Sequence, residues 1–110
     1  MRVNEIVDKL GLEVLAADSL AREVSGAYIG DLLSNVMARA EEGNLWLTIQ
    51  GHQNVVAVAL LANVAAVIVV EGMTVEDAAV ARAEEKGVNI LRSELSAYEL
   101  AAKLVKMGIE

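Results

Sequence analysis

Residues 55–70 read VVAVALLANVAAVIVV, the longest apolar run in the chain, and how it is divided decides the fold. A membrane-spanning helix needs about 20 predominantly apolar residues. This run is shorter, and Asn63 interrupts it. The part before Asn63, together with Asn54, predicts a helix over 54–62 that is apolar nearly all round. A helix without a polar face is expected to be covered on both sides. The part after Asn63 contains Val67-Ile68-Val69-Val70, β-branched at every position. It predicts a strand over 66–70 with both faces covered, as in the centre of a parallel sheet.

The elements on either side repeat the pattern. Leu45 to Gln50 reads as a short apolar strand that runs into Gly51-His52-Gln53-Asn54 before the helix. Upstream, Asp31 is a good N-cap for a helix that buries Leu33, Val36, Met37 and Ala40 and ends at Gly43. Roughly Arg22 to Ile29 forms a weaker strand, and its Gly26 suits a sheet edge or a bulge. The first helix places Val3, Ile6, Val7 and Leu10 on one face and stops at Gly11, with Glu13 to Ala16 a weak strand after it. Downstream, Thr74-Val75-Glu76-Asp77 opens a helix that closes at Gly87, and Val88 to Leu91 forms the next strand. Ser96-Ala97-Tyr98-Glu99 opens the last helix with a capping box. That helix carries the stripe Ala97, Leu100, Ala101 and Leu104, has Lys103 and Lys106 near its negative dipole end, and stops at Gly108. Strand then helix, repeated, predicts right-handed crossovers and a parallel sheet. The expected architecture is α/β: a three-layer α/β/α sandwich with a mostly parallel sheet of about four to five strands. Residues 1–110 are expected to form a single domain. Strand order stays open.

Composition removes several function classes. The 110 residues contain no Cys, one His and no Phe, and the net charge is −7. Without Cys there are no disulfides, no thiolate metal sites and no thiol nucleophile. An acidic chain whose Arg22, Arg39, Arg82 and Arg92 are scattered is not expected to bind nucleic acid. Glu5 and Asp8 break the pattern of a signal peptide, so a cytoplasmic location with no membrane partner is expected. The apolar excess, concentrated in a helix with no polar side, implies an interface, most simply that of a homodimer.

The best candidate site is Thr48, Gln50, His52, Gln53 and Asn54. A parallel strand aims its C-terminal end at the next helix N-terminus, where backbone N–H groups and the helix dipole favour an anionic group. Thr, Gln, His and Asn side chains would add directional hydrogen bonds. The plain structural alternative is that Asn54 caps the helix while His52 and Gln53 are solvated. The segment Val24 to Asp31 has two glycines before a helix but neither the G-x-G-x-x-G spacing nor a P-loop, so Gly26 and Gly30 are read as structural. Neither a cofactor nor a metal site is expected, because one His and no Cys give no ligand spacing. Glu41-Glu42 and Glu84-Glu85 read as solvated helix ends. Ser25, Ser34, Ser93 and Ser96 lack a nucleophile elbow. An enzyme using His52 as acid/base would need a second converging group, with Asp31 or Ser93 the candidates. Trp46 and Tyr98 read as core or interface anchors.

Two runs carry a family resemblance. They are Gly30-Asp31-Leu32-Leu33-Ser34-Asn35-Val36-Met37-Ala38 and Trp46-Leu47-Thr48-Ile49-Gln50-Gly51-His52-Gln53-Asn54-Val55-Val56-Ala57-Val58-Ala59. With Leu91 to Ala101, they resemble the stand-alone DRTGG-domain proteins over nearly the whole chain. The name-giving motif is degraded: Glu23-Val24-Ser25-Gly26-Ala27 stands in its place, with Gly26 matching and Ser25 standing for Thr. The resemblance implies an α/β fold similar to the N-terminal domain of HPr kinase/phosphorylase. It also implies a regulatory or assembly role, as for related domains beside CBS-domain and phosphatase modules and in long phosphate acetyltransferases. Stand-alone members occur in anaerobic bacteria, some beside iron-only hydrogenase genes. No catalytic residues come with the resemblance, and without a P-loop kinase activity is not expected. The expected function is a non-enzymatic regulatory or assembly domain that self-associates, senses a small anionic metabolite or nucleotide, and has an unidentified protein partner. The alternatives are a purely structural interaction module and a small enzyme built on His52.

Overall fold

In the computed structural model, which describes residues 1–110, the chain runs α1 (Val3–Leu10), β1 (Glu13–Ala16), β2 (Gly26–Ile29), α2 (Leu33–Arg39), β3 (Asn44–Thr48), α3 (Asn54–Ala62), β4 (Ala66–Val69), α4 (Asp77–Lys86), β5 (Ile90–Arg92) and α5 (Ala97–Lys106). The five strands lie in the order β1-β5-β4-β3-β2. β2, β3, β4 and β5 are parallel, and β1 pairs antiparallel with β5. The apolar run does divide at Asn63, a left-handed residue at φ 55° that closes α3.

β4 occupies the middle of the sheet, and all its residues are buried. Alternation along the strands sorts the core onto two faces. Leu45, Leu47, Ile68 and Leu91 pack with Ile6 of α1 and with Leu100 and Leu104 of α5. Trp46, Val67, Val69 and Ile90 pack with Val36 of α2, Val56 of α3 and Ala83 of α4. These are the three layers expected. The crossovers α2, α3 and α4 share one face because the chain steps across the sheet in a single direction from β2 to β5. Among the parallel strands there is therefore no switch point, the place where neighbouring crossovers part and leave a crevice.

Three helices differ from the sequence reading. α3 buries Val55, Val56, Val58 and Ala59, but Ala57, Leu60 and Leu61 face outward. Lying between α2 and α4 covers its flanks and leaves its outer side open. α2 has Leu32, not Asp31, at its N-cap, with no side-chain cap; Met37 is exposed, and the helix stops at Arg39 rather than Gly43. α4 begins at Asp77 behind Glu76, so Thr74 is not its cap. The capping box of α5 is present: Ser96 Oγ accepts the Glu99 N–H at 3.2 Å, and Glu99 Oε1 accepts the Ser96 N–H at 3.1 Å.

β2 is an edge strand, as its Gly26 suggested. A Cβ at Gly26 would lie 3.0 Å from the Glu110 carbonyl oxygen, so glycine lets residue 110 close over the strand. The Met1 carbonyl accepts the Val24 N–H at 2.9 Å just before it. At the same end of the sheet, buried Asn89 donates to the Ser19 and Ala65 carbonyls at 2.9 Å each and accepts the Asp18 N–H at 2.7 Å. No helix is long and apolar enough to cross a membrane.

Candidate functional site

The parallel register places Ile29 opposite Leu47, and Thr48 opposite Val69. The loops after β2, β3 and β4 therefore emerge side by side, and Asp31 arrives just beyond Thr48. Its Oδ1 accepts both the Thr48 hydroxyl and the Ile49 N–H at 2.9 Å. Thr48 Oγ1 accepts the Gln50 N–H at 3.2 Å, and Gln50 Nε2 donates to the Asp31 carbonyl at 3.2 Å. Thr48 is buried and Gln50 half-buried.

His52 takes the role that the structural alternative gave to Asn54. Its Nδ1 accepts the Asn54 N–H at 3.0 Å, so the imidazole caps α3. An accepting Nδ1 assigns the proton of the neutral ring to Nε2. That atom lies 3.9 Å from Glu76 Oε1, beyond hydrogen-bond range but close enough to pair electrostatically with a protonated ring. The next amides of α3 are also engaged: Val55 N–H donates to the His52 carbonyl at 3.0 Å and Val56 N–H to the Gln53 carbonyl at 3.1 Å. An anion here would meet side chains and the dipole field rather than free backbone donors. The side chains of His52, Gln53 and Asn54 are all exposed.

The rim is laced from loop to loop. Gly51 packs against the loop before α4: a Cβ there would run into the Thr74 carbonyl oxygen and lie 2.9 Å from Val75 Cα. The Gly51 carbonyl accepts the Glu76 N–H at 2.9 Å. Beyond β4, Glu71 and Gly72 are both left-handed, at φ 60° and 62°, in a turn closed by the Met73 N–H to the Val70 carbonyl at 3.2 Å. Their own N–H groups reach the Leu95 and Ser93 carbonyls at 2.8 and 2.9 Å.

The structure thus brings Thr48, Gln50, His52, Gln53 and Asn54 onto one rim with Asp31. It separates Ser93, which lies past β5 with β4 between it and the His52 strand, and whose Oγ accepts the Leu95 N–H at 3.1 Å. Ser93 lines a cavity of about 390 Å³ with Arg92 and Lys103. The other two cavities are about 70 Å³ beside Asn63 and Asn89, and about 180 Å³ between β2 and α5. None is lined by residues 48–54. No group of three or more His, Asp or Glu side chains converges as metal ligands would. Glu76 is the rim residue that sequence reasoning missed. The available signal was that β3 and β4 both end in polar loops, which adjacent parallel strands bring together.

A family profile described as the DRTGG domain matches residues 5–107. The chain belongs to the DRTGG domain family. In this DRTGG domain the degraded motif lies at the opposite end of the sheet from His52, where it bonds to the start of β3. Ser25 Oγ donates to the Glu42 carbonyl at 2.7 Å and accepts from Asn44 Nδ2 at 3.2 Å. The fold is similar to a crystal structure of the CBS and DRTGG domains of the regulatory region of Clostridium perfringens pyrophosphatase, complexed with its activator diadenosine tetraphosphate. The TM-score is 0.71 at 12% identity, with 94% of this chain and 46% of that one covered. This chain therefore spans about half of that structure. No curated protein matches the chain.

Proposed function

We propose that residues 1–110 form one cytoplasmic, non-enzymatic DRTGG domain that regulates or assembles a larger system, self-associates, and senses a small anionic metabolite or nucleotide at the rim of β3. The observation that carries the reading is the rim itself. Exposed His52 and Gln53, with Asn54 at the start of α3, stand at a junction tied by Asp31 to the loop after β2 and packed through Gly51 against the loop before α4. The similarity to a regulatory region crystallised with a nucleotide activator supports testing nucleotides first.

In this mechanism the ligand's negative group meets the Nε2–H of His52 and the side-chain amides of Gln53 and Asn54, while Gln50 and Thr48 hold the loop beneath. The absence of a crevice at the end of β3 favours a shallow recognition surface over a reaction chamber with His52 as acid/base. It also limits affinity, because a shallow site buries little of its ligand.

The test is calorimetric titration of diadenosine tetraphosphate, ATP and inorganic phosphate into the parent protein and into His52→Ala and Asn54→Ala. A loss of about tenfold or more in each variant is expected, as for a removed charge-assisted hydrogen bond. Parent-like affinity in both variants rejects the site. If none of the three probes binds the parent, a purely structural module becomes the better reading.

A further inference from the structure

α5 carries two stripes. Leu100 and Leu104 face the core. A second set, Tyr98, Ala102 and Val105, spaced i, i+4, i+7, faces outward, with Tyr98 85% and Val105 57% exposed. That spacing matches the 4–3 alternation of a coiled-coil seam, with Tyr98 and Val105 at d positions and Ala102 at a. The apolar surface continues from the seam: Ala101 and Val105 border the cavity of about 180 Å³ whose far wall is Ala27 and Ile29 of edge strand β2. An exposed aromatic beside an apolar groove is the usual anchor of a protein interface.

Charge specifies the occupant. Glu99 and Lys106 each follow a seam residue by one position and are seven apart, so both occupy e positions. In an antiparallel pair, e positions of the two helices face one another. A second copy of α5 turned about a two-fold axis at Ala102 would bring its Lys106 to Glu99 and its Glu99 to Lys106. A parallel pair would gain neither contact. The small side chain at Ala102 permits close approach of the helices where they cross. A second outward apolar patch, Ala57, Leu60 and Leu61 on α3, has no charged residue on its helix to set an orientation.

We infer that α5 is the self-association surface, pairing antiparallel with α5 of a second copy of this chain about Ala102. The inference rests on the self-association proposed above and names its surface.

The chain has no cysteine, so single introduced thiols report proximity cleanly. Oxidised Ala102→Cys is expected to run as a disulfide-linked dimer, while Leu61→Cys stays monomeric on a non-reducing gel. By sedimentation, Tyr98→Glu should weaken the dimer about tenfold or more. Lys106→Glu, which places like charges opposite each other across the pair, should weaken it about threefold. These side chains are exposed, and circular dichroism checks that each variant is folded. A dimer that ignores Tyr98→Glu, or that cross-links through Leu61→Cys instead, overturns this surface while leaving self-association in place. A parent protein that is monomeric at high micromolar concentration overturns self-association itself.

Discussion

Asp31 and Thr48 are joined side chain to side chain at 2.9 Å across two adjacent parallel strands, and the same carboxylate oxygen takes the Ile49 amide. One residue therefore ties the loop after β2 to the loop after β3. Because Thr48 is 1% exposed, removing its acceptor leaves a buried hydroxyl unsatisfied. Asp31→Ala is expected to cost roughly 1–3 kcal/mol. Asp31→Asn, which keeps an acceptor oxygen, should cost less. Urea midpoints at unchanged slope measure both.

Gly51→Ala tests the close contact with the loop before α4. The added methyl meets backbone, which cannot swing aside as a side chain would, so the loop must move. The expected cost is roughly 1–3 kcal/mol. Amide exchange at Glu76, whose N–H bonds to the Gly51 carbonyl, should accelerate more than exchange in β4.

Glu71 sits in a left-handed conformation that a side chain disfavours by roughly 1–2 kcal/mol. Glu71→Gly relieves that strain and keeps the N–H bonded to the Leu95 carbonyl. A gain of up to about 1 kcal/mol is expected after the entropy cost of glycine. A lower melting temperature would show that the Glu71 side chain contributes more than its backbone loses.

The Glu99 carboxyl is held below its ordinary value of 4.5, first by the Ser96 backbone N–H, next by the Ser96 side chain, and then by Lys103. A depressed folded value means that this stabilisation is complete above the ordinary value and is lost as pH falls through the folded one. Glu99→Ala should therefore melt below the parent at neutral pH, and the gap should close as the solution is acidified past pH 4.5. A gap that stays constant across that window would remove the carboxylate from the account.

Glu76 competes for the same imidazole edge as the proposed ligand. Glu76→Gln removes a negative charge 3.9 Å from His52 Nε2, so anion affinity should rise, by up to about fivefold for a ligand charge ~4 Å from the carboxylate. Unchanged affinity would mean that the ligand does not approach Nε2.

The readings that proved sound depend on local chain chemistry. The run 55–70 was too short to span a membrane and broke at Asn63, so helix and strand could be separated. The box at Ser96 and Glu99 is complete within one turn. What the sequence hid depends on neighbours. Asp31 at a strand–helix junction can bond forward to its own helix or sideways to the adjacent loop, and only strand order decides between them. The capping role of His52 was missed because Asn54 is the commoner cap. α3 looked covered all round because an apolar face does not record whether anything lies against it. The same limit applies to Tyr98, whose outward position follows from where Leu100 and Leu104 meet the sheet. The rim residues were found together because strand-end polarity is local, whereas their partner Glu76 belongs to another strand's loop.

Residues 1 and 110 both settle against the start of β2, one bonding to Val24 and the other closing over Gly26. The path of the polypeptide thus closes on itself. Both segments therefore cover the entrance to the edge strand, Arg2 pairing with Glu23 and residue 110 lying over Gly26, and leave less of its backbone open to pairing with another chain.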